Sequence, residues 1–319
     1  MKKSVSAPGE KVRQASRLQR LVKSPTQLSY LAMLIIPVTF FILIRYWPMY
    51  GMSIAFQNYK VGDPFISPDS RWVGMQWFEM LFKNPNFGRM VRNTIVLNVL
   101  NILIAFPMAV LFALLLNEVR IKWLRGFASN VSLLPHFISL VVIVAIMYNL
   151  FSMDSGLVNA VIEKLGGEPV NFLGSNKWFR PLYIGSAIWQ STGFNAVVFT
   201  AAIAGIDPNL YEAAALDGSN RLKNIFYITI PCILPTIITM LLLRIGNIMT
   251  VGYEKILLMY TPATYEVSDV LSTYSYRIGL EGQKYSLSAA VSLMNSVINV
   301  ILLVTANRVT RKLSDTALW

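Results

Sequence analysis

Between two long apolar runs, Tyr211 to Pro231 reads YEAAALDGSNRLKNIFYITIP, an Ala-rich helical turn with a carboxylate, a Gly break and a second, basic helical turn. Glu212 and Asp217 supply charge, and Ala213 and Ala214 let another backbone approach closely. Gly218 permits a left-handed turn. This is the chemistry of a docking knob, not of bond making. A second group of residues interrupts the apolar runs themselves: Trp189, Gln190 and Asn195, then Arg244 and Asn247, then Asn295 and Asn299. Amides and flat aromatic faces suit sugars, and polar groups at membrane depth mark solute paths. For the amides and the Trp, interhelical packing or an interfacial belt is an equal reading. Arg244 is the sharper case. Its flanks, LLLRIGNI, hold no carboxylate, so the guanidinium must face a cavity, a carbonyl cluster, a structural partner or an acidic substrate.

Catalytic patterns are missing from the chain. It has no phosphate-cradling GxxxxGK(S/T), no GxSxG and no HExxH. One histidine, His136, and one cysteine, Cys232, leave no metal-ligand set of the usual kind and no internal disulfide. Neither a metal nor a cofactor is expected on this chain.

The elements that position these residues follow from composition. With 55% hydrophobic and 14% charged residues and mean hydropathy +0.52, the chain is too apolar for an ordinary soluble domain. A helix needs about 20 mostly apolar residues to cross the hydrocarbon. Leu28 to Pro48, Thr94 to Leu116, Val131 to Phe151, Pro181 to Ile203, Pro231 to Met249 and Ser288 to Val304 meet that need. The expected fold is therefore all-α, a polytopic membrane bundle of about six transmembrane helices. An even number places both termini on one side.

Lysine and arginine in the flanks set that side. The net charge of +12 gathers at the ends of the apolar runs, which points to membrane topology and away from nucleic acid. The tail 1–27 carries Lys2, Lys3, Lys11, Arg13, Arg17, Arg20 and Lys23 against Glu10 and is expected in the cytoplasm. Arg120, Lys122 and Arg125, then Arg221 and Lys223, then Arg308, Arg311 and Lys312 agree. The permease domain spans 28–306, and a cytoplasmic C-terminal tail covers 307–319. The basic tail reads as a topology signal or as an anchor to anionic membrane lipid. No small-residue cleavage site follows the first apolar run, so it reads as an uncleaved span. Pro37, Pro107, Pro135 and Pro235 permit kinks in or near spans. Trp77, Phe78, Leu81 and Phe82 at helical spacing suggest a segment lying along the outer membrane interface.

Within 206–231, Asp207 and Pro208 form a helix start and Gly218 a stop. Ser219 or Asn220 can cap the helix that leads to Pro231. The result is a short helical hairpin. Glu212, Ala213, Ala214, Gly218, Ile228 and Pro231 match the EAA loop of permease subunits of bacterial ATP-binding-cassette importers, with Ile230 where that family usually has Leu. WVGMQWFEMLFKNPNFGRMVRNT and GYEKILLMYTPATYEVSDVLSTYSYRIGL resemble the polysaccharide-type, LplB-like carbohydrate branch. This likeness spans nearly the whole chain.

The resemblance implies the type I ABC importer permease fold in a bacterial inner membrane, importing oligosaccharides without enzymatic activity of its own. It implies that the loop docks into a cleft of a separate ATPase subunit, where ATP and Mg are bound, with Glu212 and Gly218 carried over as coupling positions. A second permease subunit in a heterodimer and an extracytoplasmic solute-binding protein are implied as further partners. Two rival classes fit less well. An ion-coupled secondary carrier for small polar solutes would place carboxylates within spans, and here they fall in loops or at span edges. A membrane-embedded enzyme would need a nucleophile and base, or a metal cluster.

Overall fold

The computed structural model describes residues 25–66, 71–250 and 252–313. The basic residues Lys2 to Lys23 lie outside the described residues, and with them the lipid-anchor reading. Regular structure among the described residues is helical, apart from one bridge that pairs Gln57 with Trp72. The chain divides into two compact units, one of residues 1–53 with 65–67 and the other of 54–64 with 68–319.

The first unit is built on α1 (Pro25–Phe41), which passes through a π turn at Ile42–Tyr46 into a 3-10 stretch, Trp47–Phe56. The run Ser29–Phe56 is long and apolar enough to cross a membrane. Its N-terminal half, PTQLSYLAMLIIPVTFF, is apolar around the whole circumference, as contact with lipid or other helices demands. Within this unit Tyr50 meets Phe65 edge-on, and the Ser53 hydroxyl donates to the Phe65 carbonyl at 3.2 Å.

The second unit begins with α2 (Gln76–Phe82) and the long helix α3 (Phe87–Glu118), interrupted by a π turn at Asn101–Ala105 just before Pro107. It continues with α4 (Lys122–Phe137), α5 (Leu140–Phe151), α6 (Leu157–Lys164) and α7 (Asn176–Ala204). Then come α8 (Pro208–Leu216), α9 (Arg221–Ile245), α10 (Tyr253–Met259), α11 (Leu271–Tyr276) and α12 (Tyr285–Leu313). A π turn at Ile225–Thr229 lies near the start of α9, just before Pro231. Proline lacks the N–H that would continue the regular ladder, so its neighbourhood accommodates such turns.

Four helices qualify as spans by length and apolarity: the run Ser29–Phe56, α3, α9 and α12. The expected third span, Val131 to Phe151, is not one straight helix. A 3-10 turn at Leu134–Phe137 holds Pro135, the extended Ile138 and Ser139 follow, and α4 and α5 meet at 101°. The Ser139 hydroxyl restarts the chain by accepting from the Val142 amide at 3.4 Å. The expected fourth span lies within α7, whose 29 residues cover about 44 Å, more than the ~30 Å of hydrocarbon. Gln190 and Asn195 make it less apolar than the four. With the bent pair and α7, the number reaches six. Gly193 lets α4 lie against α7, since a Cβ there would stand 2.2 Å from the Ser132 carbonyl oxygen.

Three buried clusters hold the second unit. Leu97, Ile143, Met147, Phe179 and Ile256 join α3, α5, α7 and α10. Phe106, Ala109, Phe199 and Ile233 join α3, α7 and α9. The third joins Phe78 and Leu81 of α2 to Leu271 and to Leu287 and Val291 of α12. The segment expected along the membrane interface thus turns Phe78 and Leu81 into protein, and the Trp77 indole N–H donates to the Gln57 carbonyl at 2.7 Å.

Candidate functional site

The helical hairpin forms with the caps its residues dictate. Asp207 Oδ1 accepts from the Asn209 amide at 3.0 Å and Pro208 takes the first helical position. Gly218 sits at φ +72°, the Ser219 amide donates back to the Ala214 carbonyl at 2.9 Å, and the Gly218 amide donates to that of Ala215 at 3.1 Å. These paired bonds close the helix end and require the left-handed residue between them. Asn220 Oδ1 then accepts from the Lys223 amide at 2.9 Å, so Asn220 and not Ser219 caps α9. The Ser219 hydroxyl donates instead to Asn224 Oδ1 at 2.7 Å. Tyr211 and the buried Thr229 share a 2.9 Å hydroxyl contact that ties the two arms together, and Arg221 reaches Glu118 at 3.9 Å at the C-terminal end of α3.

With the backbone satisfied internally, the side chains face outward. Glu212, Ala213, Asp217 and Gly218 are exposed and Ala214 is half-buried. The hairpin also exposes Leu210, Leu216, Leu222, Phe226 and Tyr227, with Leu216 at 91%. Sequence reasoning passed over these apolar residues. Their signal was apolar side chains on a segment too polar to enter lipid, and such a patch marks a contact surface.

The polar span residues separate into three places, all within the second unit. Asn195, Arg244 and Asn247 line one cavity of about 350 Å³, together with Asn98, Asn101 and Tyr183. Arg244 Nη1 donates to Asn101 Oδ1 at 3.3 Å, and the guanidinium carbon lies 5.8 Å from the centre of the Phe106 ring. It is the only ionised side chain in that lining. Asn101 is the first residue of the π turn in α3, which aims its amide at the guanidinium. Asn98 and Asn101, three residues apart in an otherwise apolar run, were a readable signal that sequence reasoning missed.

Asn295 lies elsewhere, in a cavity of about 390 Å³ among serines and tyrosines of α10, α11 and α12. Asn299 holds the chain itself: its Oδ1 accepts from the Met249 amide at 2.8 Å and its amide donates to the Thr250 hydroxyl at 3.0 Å. Trp189 borders an apolar groove of about 640 Å³ with Ile143, Trp178 and Leu182. Gln190, half-buried, lines none of these three.

At the end opposite the hairpin, residues 260–281 are held by buried polar contacts. Asp269 is 2% exposed, accepting from Arg277 Nη2 at 3.0 Å and from the Thr273 hydroxyl at 2.9 Å. Asn93 of α3 donates to the Glu266 and Asp269 carbonyls at 3.0 and 3.1 Å, while its Oδ1 accepts from Arg180 at 3.3 Å. The buried Lys255 ammonium lies 5.3 Å from the Tyr183 ring centre, and its Nζ has no hydrogen-bond partner among the described residues. Burial lowers that ammonium to about 8.

Set beside known proteins, residues 102–315 match the family described as "Binding-protein-dependent transport system inner membrane component". The polygalacturonan/rhamnogalacturonan transport system permease protein YteP of Bacillus subtilis (strain 168) is 40% identical over 94% of this chain and 94% of its own. Protein LplB of the same organism is 39% identical over 91% of each. Among solved structures, a bacterial alginate ABC transporter in complex with an alginate pentasaccharide-bound periplasmic protein superposes with TM-score 0.84. Its identity is 38%, over 92% of this chain and 97% of that one. A helical bundle of this topology, with its hairpin and its polar cavities, is thus the type I ABC importer permease fold, and the chain belongs to the family of inner membrane permease components of binding-protein-dependent transport systems.

Proposed function

We propose that the chain is one of two permease subunits lining the translocation path of an ATP-binding-cassette importer for acidic oligosaccharides. The observation that carries this reading is the cavity around Arg244, where amides surround a single guanidinium and no carboxylate neutralises it. A guanidinium so placed gains a bidentate partner when a uronate enters. The substrates named for the relatives, polygalacturonan and alginate, support the same chemistry.

In this reading the hairpin 207–231 faces the cytoplasm, as do both termini, and docks on an ATPase subunit that binds ATP and Mg. Glu212 and Asp217 offer charge, Ala213 and Ala214 allow close approach, and Leu216, Leu222 and Phe226 supply the apolar contact. A second, non-identical permease completes the path, and an extracytoplasmic binding protein delivers the cargo to the end around residues 260–281.

Reconstituted vesicles holding the complete transporter provide the test. Glu212→Ala leaves the protein inserted at normal abundance and lowers ATP-driven uptake. Arg244→Lys keeps the charge and loses the fork, so uptake of tetragalacturonate falls about tenfold, as loss of a charged hydrogen bond implies, and that of a neutral tetrasaccharide falls less. Equal loss for both cargos with poor assembly identifies Arg244 as a structural tie instead.

A further inference from the structure

Thr250, just beyond α9, borders two cavities of opposite character. On one side is the guanidinium cavity. On the other, Ser272, Ser275, Ser292 and Asn295 line about 390 Å³ beside the rings of Tyr253 and Tyr276, whose centres are 5.9 Å apart. The lining of the second cavity contains no charged side chain. We infer that this cavity is a second saccharide subsite, one that takes an uncharged, hydroxyl-rich sugar residue next to a uronate held at Arg244. The inference rests on the acidic-oligosaccharide reading above and names the cargo more closely: a chain in which uronate and neutral residues adjoin.

Three features point to a ligand. Asn295 Oδ1 is buried in the cavity wall without a hydrogen-bond partner, an acceptor that a sugar hydroxyl satisfies. The tyrosine rings give flat faces for the C–H side of a pyranose. A uronate here would be desolvated with no cation beside it, which is costly, so the subsite discriminates by charge. Serine-rich contacts between helices often serve packing alone. Here Ser275 and Ser288 do bond each other at 2.8 Å, yet the space in front of them stays open at a size usual for small-ligand sites. Asn299 positions the shared wall, since both of its hydrogen bonds fix the Met249–Thr250 backbone and side chain that divide the two cavities.

The test uses the complete transporter in vesicles with two probes, tetragalacturonate and a tetrasaccharide alternating galacturonate with rhamnose. The readout is the ratio of alternating to all-uronate uptake. Asn295→Leu lowers that ratio about fivefold and Ser272→Ala about twofold, in line with the loss of one hydrogen bond each. Should Asn295→Leu fail to assemble, Ser272→Ala decides alone. An unchanged ratio in the assembled variants overturns the second subsite. Arg244→Gln reports on the parent reading separately: it lowers uptake of both probes, and full tetragalacturonate uptake in that variant overturns the acidic cargo while leaving the ratio test standing.

Discussion

The hairpin and the segment 260–281, at opposite ends of α9, use polar groups in opposite ways. In the hairpin, Asp207, Asn220 and the Gly218 turn satisfy the backbone locally, so that Glu212, Asp217 and Leu216 are left outward. In 260–281 the charged side chains turn inward: Asp269 is buried against Arg277 and Thr273, and the Asn93 amide reaches across from α3. A surface meant for another protein must hold its shape without committing its side chains. A segment that closes over its own chain commits them fully, and its stability depends on each.

Asp269→Ala should break this contrast most severely. It leaves the Arg277 guanidinium without its buried carboxylate, which costs about 3–5 kcal/mol, and the protein should lose thermal stability in detergent and abundance in the membrane. A loss no greater than that of a hairpin variant would show the two ends to be alike. Burial works against Arg277, but its hydrogen bond to Asp269 and the charge of that carboxylate outweigh the penalty and hold the guanidinium above its usual range.

Lys255 sharpens the comparison in the other direction, as a buried charge without compensation. Its ammonium titrates at about 8, against roughly 10.4 in an unfolded chain. Between those values the unfolded chain retains a proton that the folded one has released, so stability rises with pH across that window. Below about 8 both forms are protonated and the full penalty remains. Lys255→Met should therefore raise stability at pH 7 by about 2–3 kcal/mol and flatten the rise toward pH 10 in a thermal-shift series. A variant less stable than the parent at pH 7 would mean that the contact with Tyr183 outweighs the burial cost.

Gly218→Val should have the smallest effect on stability, roughly 1–2 kcal/mol confined to the hairpin, because a β-branched residue resists φ +72°. Its consequence should instead appear in attachment of the ATPase subunit, measured by co-purification. Intact attachment would mean that the hairpin needs no preformed turn.

Much of the hairpin was legible beforehand because its signals are local: Asp207 with Pro208, Gly218, and an Asn at the next cap each act within four residues. Arg244 was legible as a charge in need of a cavity, since no carboxylate flanks it. The 101° break at Pro135 was not, because hydropathy records that a run is apolar and is blind to its direction. The order in 260–281 was also hidden. Asn93, Arg180 and Asp269 are separated by 87 and 89 positions, and only folding brings them together. The serine cavity escaped for a related reason, since serine within apolar helices is ordinary until two helices face each other with space between.

The π turns of α3 and α9 have a mechanical meaning. Each wide turn holds slack, a surplus residue within an otherwise regular rod. A rod with slack answers a push by twisting about its own axis, and one residue of twist is about 100°. In α9 the slack ends at Thr229, the residue that Tyr211 grips, and in α3 it begins at Asn101, the residue that holds Arg244. The grip at one end and the latch at the other each sit on a swivel, so the two can be moved without any span having to melt.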